Sequence, residues 1–400
     1  MLTLSQAQTA IRERIIPATK VETIPLRQAC GRYAAQAVLA RVDNPAFDNS
    51  AMDGYACRTA DLVAHAYRLP VQGESRCGSA PGVLAAGTAM RIFTGAPLPA
   101  GADAAEMQEN VNVVQGHAQF PATIRAGQNV RRRGEDFRSG ELLYAPGRRF
   151  NAYDLALLAT AGIDQVPVVA RPRVLVIATG DELVVPGTPL KPGQIYESNR
   201  LATLVQLEQL GAEALDGGMV RDDPAALRTL LQGSDEYDFV ITSGGASVGD
   251  HDLVKQVFAE IGEINFWKVK IKPGKPVAFG RVGQRTHFFA LPGNPVSSLV
   301  TFKLFVEPAL VAWSHGVHHL PELPAVAAND LRRQPGRMEF LRAHLYTENG
   351  QLMAKALPGQ GSHMLGTLRQ TNGFVKISED CGGYTRGDAV VAIPLGMDML

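Results

Sequence analysis

The sequence predicts a multidomain protein, α/β at its centre and β-rich in two other regions. Three observations carry this. Between Arg173 and about Leu320, short β-branched runs alternate with helical patterns, as in a mainly parallel sheet covered on both faces. From Arg41 to Gly140, glycine and proline are frequent and apolar runs are short, as in turn-dense β structure. From Ala325 to Leu400 a similar texture returns, read as a small β-barrel or sandwich.

Taken in chain order, Leu4 to Ile15 has helical spacing. Leu4, Ala7, Ile11 and Ile15 fall on one face, and Ser5 is the expected cap. A helical pattern returns at Asn151–Gly162, so the β-rich stretch between reads as an insertion whose two flanks belong to one domain. RVLVIAT is a predicted strand ending in the polar turn GDE. Ser198 is expected to cap the helix NRLATLVQLEQL, which Gly211 stops. Asp223 and Pro224 have the N-cap and first-turn identities of the next helix. DFVIT is a buried-type strand ending in SGGASVGD, and the helix DLVKQVFAEIG follows. FWKVKI runs into KPGKP. HFFALP runs into GNPVSS, with a long apolar helix behind it and the spacer SHGVHHLPELP after that.

Composition narrows the function classes. Hydrophobic residues make up 46% and charged residues 20% of the 400, an ordinary globular balance. Lys+Arg and Asp+Glu are both 39, so no overall charge draws the chain to nucleic acid or to an anionic membrane. Cys30, Cys57, Cys77 and Cys381 lie far apart with no C-x-x-C pair, which argues against a disulfide framework or a thiolate zinc site and fits a reducing cytoplasm. Residues 1–15 read as a charged amphipathic segment, not a signal peptide. No apolar run is expected to reach the roughly 20 residues that span a bilayer.

The unusual residues fall together. ATGDE (Ala178–Glu182), RDD (Arg221–Asp223), TSGGASVGDHD (Thr242–Asp252), KPGKP (Lys272–Pro276) and LPGNPVSS (Leu291–Ser298) each follow a predicted strand. Open parallel sheets bind ligands beyond the C-terminal ends of their strands, so five such turns predict one convergent site. In SGGASVG, Ser243, Gly244, Gly245, Ser247 and Gly249 open a helix. Glycine lets backbone approach an anion there, although a plain tight turn explains the motif equally well. Glu182, Asp222 and Asp252 are hard oxygen donors suited to Mg²⁺; any one alone reads as a helix cap. Lys272 and Lys275 flank Pro273–Gly274, two ammonium groups on a stiff turn that suit a tetrahedral oxyanion. Pro292, Asn294, Pro295 and Ser297 form a rigid turn into a helix whose free N–H groups and hydroxyls would complete an anion pocket. In the β-rich part, Asp53 and Thr94 are candidates for ligand contact, against the commoner reading as turn residues. Arg131, Arg132 and Arg133 would meet phosphate or, more commonly, solvent; His315, His318 and His319 read as solvated.

These motifs resemble the molybdopterin molybdotransferases, the MoeA-type family that includes the E domain of gephyrin. The matching stretches are SAMDGYA, IFTGAPLPAGAD, GEDF, ATGDEL, IYESNR, RDD, SGGASVGDHD, KPGKP, LPGNPVSS and GRMEFLR, in family order from about residue 47 to 342. The resemblance implies four domains: residues 1–42 with 140–172, the insertion 43–139, the α/β domain 173–320, and a C-terminal β-barrel at 321–400. The α/β domain would be similar to the fold of the molybdopterin adenylyltransferases. The resemblance also implies an elongated homodimer, with a cleft between the α/β domain of one subunit and the β-rich domains of the other. The implied reaction joins molybdate to the dithiolene sulfurs of molybdopterin-AMP and, with Mg²⁺, hydrolyses the pyrophosphate link to release AMP. Carried over by motif, Asp53, Thr94, Glu182, Asp222 and Asp252 fall in the nucleotide, pterin and metal region. Lys272, Lys275, Pro276, Ser297 and Arg337 match the positions expected to hold molybdate, with Arg337 reaching the site across the dimer. One departure is Met338, since a proline follows the corresponding arginine in some relatives. Other proteins of molybdenum-cofactor synthesis are the implied partners. Two other readings are an adenylyltransferase, which needs neither the β-rich parts nor GRMEF, and a gephyrin-like scaffold, disfavoured by the lack of a long disordered linker.

Overall fold

The computed structural model describes residues 1–221, 223–244, 257–258 and 260–396. Its α/β part is built on a six-stranded sheet in the order Glu213–Val220, Arg173–Thr179, Phe239–Ser243, Thr286–Leu291, Pro276–Val282, Gly262–Lys268. The first four strands are parallel. Pro276–Val282 is antiparallel to both its neighbours, so it alone is reversed and the sheet is mainly parallel, as expected. Phe239–Ser243 and Thr286–Leu291 are buried at every position, which is why they read as continuous apolar runs. Alternate residues serve two cores. Val174, Val176, Phe239, Ile241, Phe289 and Leu291 face the N-terminal helix and the long apolar helix. Leu175, Ile177, Val240, Phe288 and Ala290 face the helix Pro224–Gln232.

The helix Leu4–Arg14 buries Leu4, Ala7 and Ile11 as its spacing predicts, but its cap is Thr3 and not Ser5. The reason is the capping box: Thr3 Oγ1 accepts from the Gln6 N–H at 3.2 Å, and Gln6 Oε1 accepts from the Thr3 N–H at 2.9 Å. Ser198 holds the N-cap position of Asn199–Gln209 without a side-chain bond. Glu197 Oε1 instead accepts from the Arg200 N–H at 2.6 Å. Asp223 caps Pro224–Gln232 as expected, accepting from the Ala225 N–H at 3.0 Å. Pro295–Trp313 is 19 residues long and apolar enough for a membrane span. It is 67% buried, however, and forms the wall of the larger core.

The two flanks of the β-rich stretch meet. Val21–Pro25 pairs antiparallel with Gln165–Val169, and Val38–Leu39 with Leu142–Tyr144. A third two-stranded ladder, Asn49–Ser50 with Val130–Arg131, lies at the neck of the insertion. The insertion holds its own six-stranded sheet, and its apolar clusters draw only on its own residues. The neck is stitched by Arg132 Nη1 to Asp48 Oδ2 at 2.7 Å and Arg133 Nε to Asp43 Oδ2 at 2.5 Å. Those two arginines are exposed, as the sequence suggests, and each is paired with a carboxylate.

The C-terminal part is a closed barrel, not a sandwich. Met338–Glu348 pairs with both Gln351–Ala356 and Gly373–Ile377, and Leu323–Ala327 with Ala389–Pro394 completes the ring. Alanines 325, 327, 343, 354 and 392 fill the narrow interior beside Leu341, Leu345 and Ile377. One stretch of the longest strand's edge is not covered by Gln351–Ala356. There Met338 and Glu339 pair in parallel with Ile271 and Lys272. FWKVKI is accordingly split: the sheet ladder ends at Lys268, and Ile271–Lys272 leaves it for the barrel.

Candidate active site at the strand ends

Strand direction gathers the five turns at one rim. ATGDE, Arg221, Gly244 and LPGN follow parallel strands, so all leave at the sheet's C-terminal edge. Pro276–Val282 is reversed, so KPGKP, which precedes it, lies at the same edge. Along the rim the order is RDD, ATGDE, SGG, LPGN, KPGKP.

The turns touch one another. Gly244 has φ +93°, and its N–H donates to the Leu291 carbonyl at 3.2 Å. A Cβ there would sit 2.4 Å from the Thr179 carbonyl oxygen, so only glycine fits. Asn199 Nδ2 donates to the Gly293 carbonyl at 2.7 Å. Gly274 has φ +103° and packs on the apolar helix; a Cβ would lie 2.5 Å from Thr301 Cγ2 and 3.7 Å from the Ser297 carbonyl oxygen. KPGKP therefore rests directly on the turn of helix that carries Ser297. Thr179 and Thr242, at the ends of adjacent strands, have buried hydroxyls with no hydrogen-bond partner among the described residues.

The cations follow. Lys272 is half exposed, and its Nζ donates to Glu339 Oε1 at 3.1 Å. The Lys275 side chain has no ion-pair partner among the described residues, while its carbonyl accepts from Val269 at 3.1 Å and Val277 at 3.2 Å. Arg337 directly precedes Met338, whose N–H donates to the Lys270 carbonyl at 3.1 Å. Arg337 thus stands at the start of the Ile271–Lys272/Met338–Glu339 ladder of its own chain. The helix start also differs from expectation: the Val296 N–H already donates to Ser362 of the barrel region at 3.0 Å, and Asn294 makes no side-chain cap bond.

Glu182 is exposed beside Gly180, where a Cβ would lie 2.8 Å from its Oε2. Asp222, Gly245, Ser247, Gly249 and Asp252 lie outside the described residues, as does most of DLVKQVFAEIG. In the insertion, Asp53 Oδ1 accepts from the Thr94 N–H at 2.7 Å and from Thr94 Oγ1 at 2.8 Å. These two bonds, backbone first, hold the Asp53 carboxyl below the usual range, with Arg91 adding to them against a small burial effect. No hydrogen bond or ion pair among the described residues joins this pair to the strand-end turns.

Two findings fall outside the expected set. His318 is not solvated: its Nε2 lies 3.2 Å from Glu307 Oε1, and Lys303 reaches the same carboxylate at 2.9 Å. Burial pushes the Glu307 carboxyl up, but these two partners outweigh it and hold it low. Glu339 and Arg333, which enclose Lys272 from the barrel side, were not singled out. The available signal was one acid in the otherwise apolar start of a strand, MEFL.

Fold and rim together define a mainly parallel α/β protein whose strand-end turns meet a C-terminal barrel. Family models match nearly the whole chain: the MoeA N-terminal region, domains I and II, over residues 2–162; a probable molybdopterin binding domain over 175–312; and the MoeA C-terminal region, domain IV, over 324–395. A molybdopterin molybdenumtransferase of Haemophilus influenzae is 39% identical, covering 98% of each chain. Molybdopterin molybdenumtransferase 2 of Mycobacterium tuberculosis is 37% identical over 95% of this chain and 96% of its own. A crystal structure of the molybdopterin biosynthesis MoeA protein of Pyrococcus horikosii superposes with a TM-score of 0.83 at 33% identity, covering 99% of both chains. The chain belongs to the MoeA family of molybdopterin molybdenumtransferases.

Proposed function

We propose that this protein is a molybdopterin molybdenumtransferase, joining molybdate to adenylylated molybdopterin and releasing AMP. The observation that carries the reading is the contact between KPGKP and the helix turn bearing Ser297, beside the ladder that joins Ile271–Lys272 to the strand after Arg337. Three cations around a stiff turn offer a tetrahedral oxyanion fixed positive charge and planar donors. Lys275 would bind it as a free ammonium, and Pro276 and Pro292 would hold the turn walls. Asn294 and Pro295 set the entry of the helix that presents Ser297.

The glycine turn beginning at Ser243 and Gly244 lets the substrate's phosphates approach backbone, and the unpartnered Thr179 and Thr242 hydroxyls support a polar ligand above these strand ends. Glu182 has the exposed hard oxygens that suit Mg²⁺, and with Asp222 and Asp252 it would hold the ion, whose charge offsets that of the pyrophosphate. Asp53 and Thr94 lie in a separately packed insertion, and we place them in the site of the partner subunit of a homodimer. The four free cysteines support a cytoplasmic location, and other proteins of the same biosynthesis are the expected partners.

The test is to incubate the protein with molybdopterin-AMP, Mg²⁺ and molybdate and to measure AMP. AMP release should depend on molybdate and stop in excess chelator, returning with Mg²⁺. Full AMP release in chelator would remove the metal from the reading; none under any condition would remove the activity.

A further inference from the structure

Two cations of the proposed molybdate site, Lys272 and Arg337, depend on a third that the reading above leaves unused. Arg333 lies in the segment leading into the barrel's longest strand, and its side chain is only 4% exposed. Its Nη2 donates to the Arg337 carbonyl at 2.6 Å, Nη1 to the Ser378 carbonyl at 3.0 Å, and Nε to the Gln334 carbonyl at 3.2 Å. The same Nε lies 3.5 Å from Glu339 Oε1. Glu339 is 5% exposed, and that same oxygen accepts from Lys272 Nζ at 3.1 Å.

We propose that Arg333 is the positioning residue of the oxyanion site. It fixes the turn that carries Arg337 and, through Glu339, the ammonium of Lys272. The proposal rests on reading this rim as the molybdate site. Arginine suits the task because one planar, permanently charged fork can serve several carbonyls and a carboxylate at once; lysine cannot. Arg333 and Lys272 share a single buried carboxylate. With Arg333 gone, Glu339 would have Lys272 as its remaining cation among the described residues and would hold it against an incoming oxyanion. The Arg337 turn would lose its clamp in the same step. Both effects raise the molybdate requirement.

The experiment uses the full chain and the variants Arg333→Met and Arg333→Lys. Molybdate dependence of AMP release is measured at saturating molybdopterin-AMP, and molybdate binding by calorimetry. Arg333→Met should raise the molybdate KM by about tenfold, with the KM for molybdopterin-AMP changed by less than about twofold. Arg333→Lys, which keeps the charge but not the fork, should fall between wild type and Arg333→Met. In a Lys272→Ala/Arg337→Ala background, Arg333→Met should add less than about twofold, because its effect passes through those side chains. Wild-type molybdate constants in both variants, or a full additive loss in the double background, would overturn the inference while leaving the activity intact. Absence of molybdate-dependent AMP release and binding in the wild type would overturn the site reading, and this inference with it. If Arg333→Met does not fold by circular dichroism, the Arg333→Lys constants decide in the same way.

Discussion

Adding one methyl group at Gly274 should damage both the stability and the molybdate affinity of this protein, and a second, compensating substitution should separate the causes. Gly274 has φ +103°, and a Cβ would stand 2.5 Å from Thr301 Cγ2, a buried methyl that cannot withdraw far. The backbone penalty for an L-residue in this region is about 1–2 kcal/mol. Overpacking adds about 1–3 kcal/mol, so Gly274→Ala should cost about 2–5 kcal/mol in all. Thr301→Ser deletes the offending methyl and keeps the hydroxyl that donates to the Ser297 carbonyl at 2.8 Å. Alone it should cost about 1 kcal/mol, for the lost apolar group. Together the two should recover the packing share, about 1–3 kcal/mol, and leave the backbone share. The remaining close neighbour, Ile271 Cδ1 at 3.2 Å, is the end of a flexible chain and can give way. Urea unfolding followed by tryptophan fluorescence reports the stability, since both tryptophans, 267 and 313, lie in the α/β part. The molybdate KM should follow, because Lys272 and Lys275 flank the distorted residue. Wild-type stability in Gly274→Ala, or no coupling to Thr301→Ser, would refute the assigned contact.

Two further predictions concern acid and assembly. Burial lowers the His287 pKa to about 4, and Nε2 of the neutral ring accepts from the Ile16 N–H at 3.1 Å. The unfolded chain therefore binds one more proton between about pH 6.5 and 4. Stability should be full above that window and fall through it by up to about 1.4 kcal/mol per unit; a His287→Asn variant with an unchanged acid slope in urea titrations would reject this. For assembly, the ladder beside Arg337 is made within one chain, so the proposal puts Lys275 and Arg337 in one site in cis. Mixed Lys275→Ala and Arg337→Ala subunits should then stay inactive after confirmed exchange. Mixed Asp53→Ala and Lys275→Ala subunits should regain AMP release, because the insertion completes the partner's site. Recovery in the first mixture would return Arg337 to the opposite subunit.

The strand-end site was legible because strand ends in this chain are marked by glycine, proline and aspartate, and parallel strands put all such marks at one edge. The reversal of Pro276–Val282 was not legible, since an apolar run carries no sign of its direction. The reversal nonetheless keeps KPGKP at the shared rim, so the grouping survives it. The ladder that follows Arg337 was not legible either: it has two residue pairs, too short to leave a period in the sequence. Arg333 reads in RRQPGR as one basic residue among several, and only the closing of the barrel buries it. The error at Ser5 was local. Two residues can cap the same helix, and the glutamine three places after Thr3 decides between them.

The neck of the insertion has a mechanical consequence. Two short antiparallel ladders carry the chain out and back side by side, and the Asp43–Arg133 and Asp48–Arg132 pairs brace them. The two ladders and the two ion pairs tie the outgoing and returning chain to each other, so the insertion is joined to its flanks as one double-stranded connection and not by two independent linkers. The lysine turn, by contrast, is anchored twice, to the apolar helix and to the barrel strand, and shares their rigidity. Any displacement of the insertion would therefore carry Asp53 and Thr94 together, while Lys272 stays tied to the barrel strand.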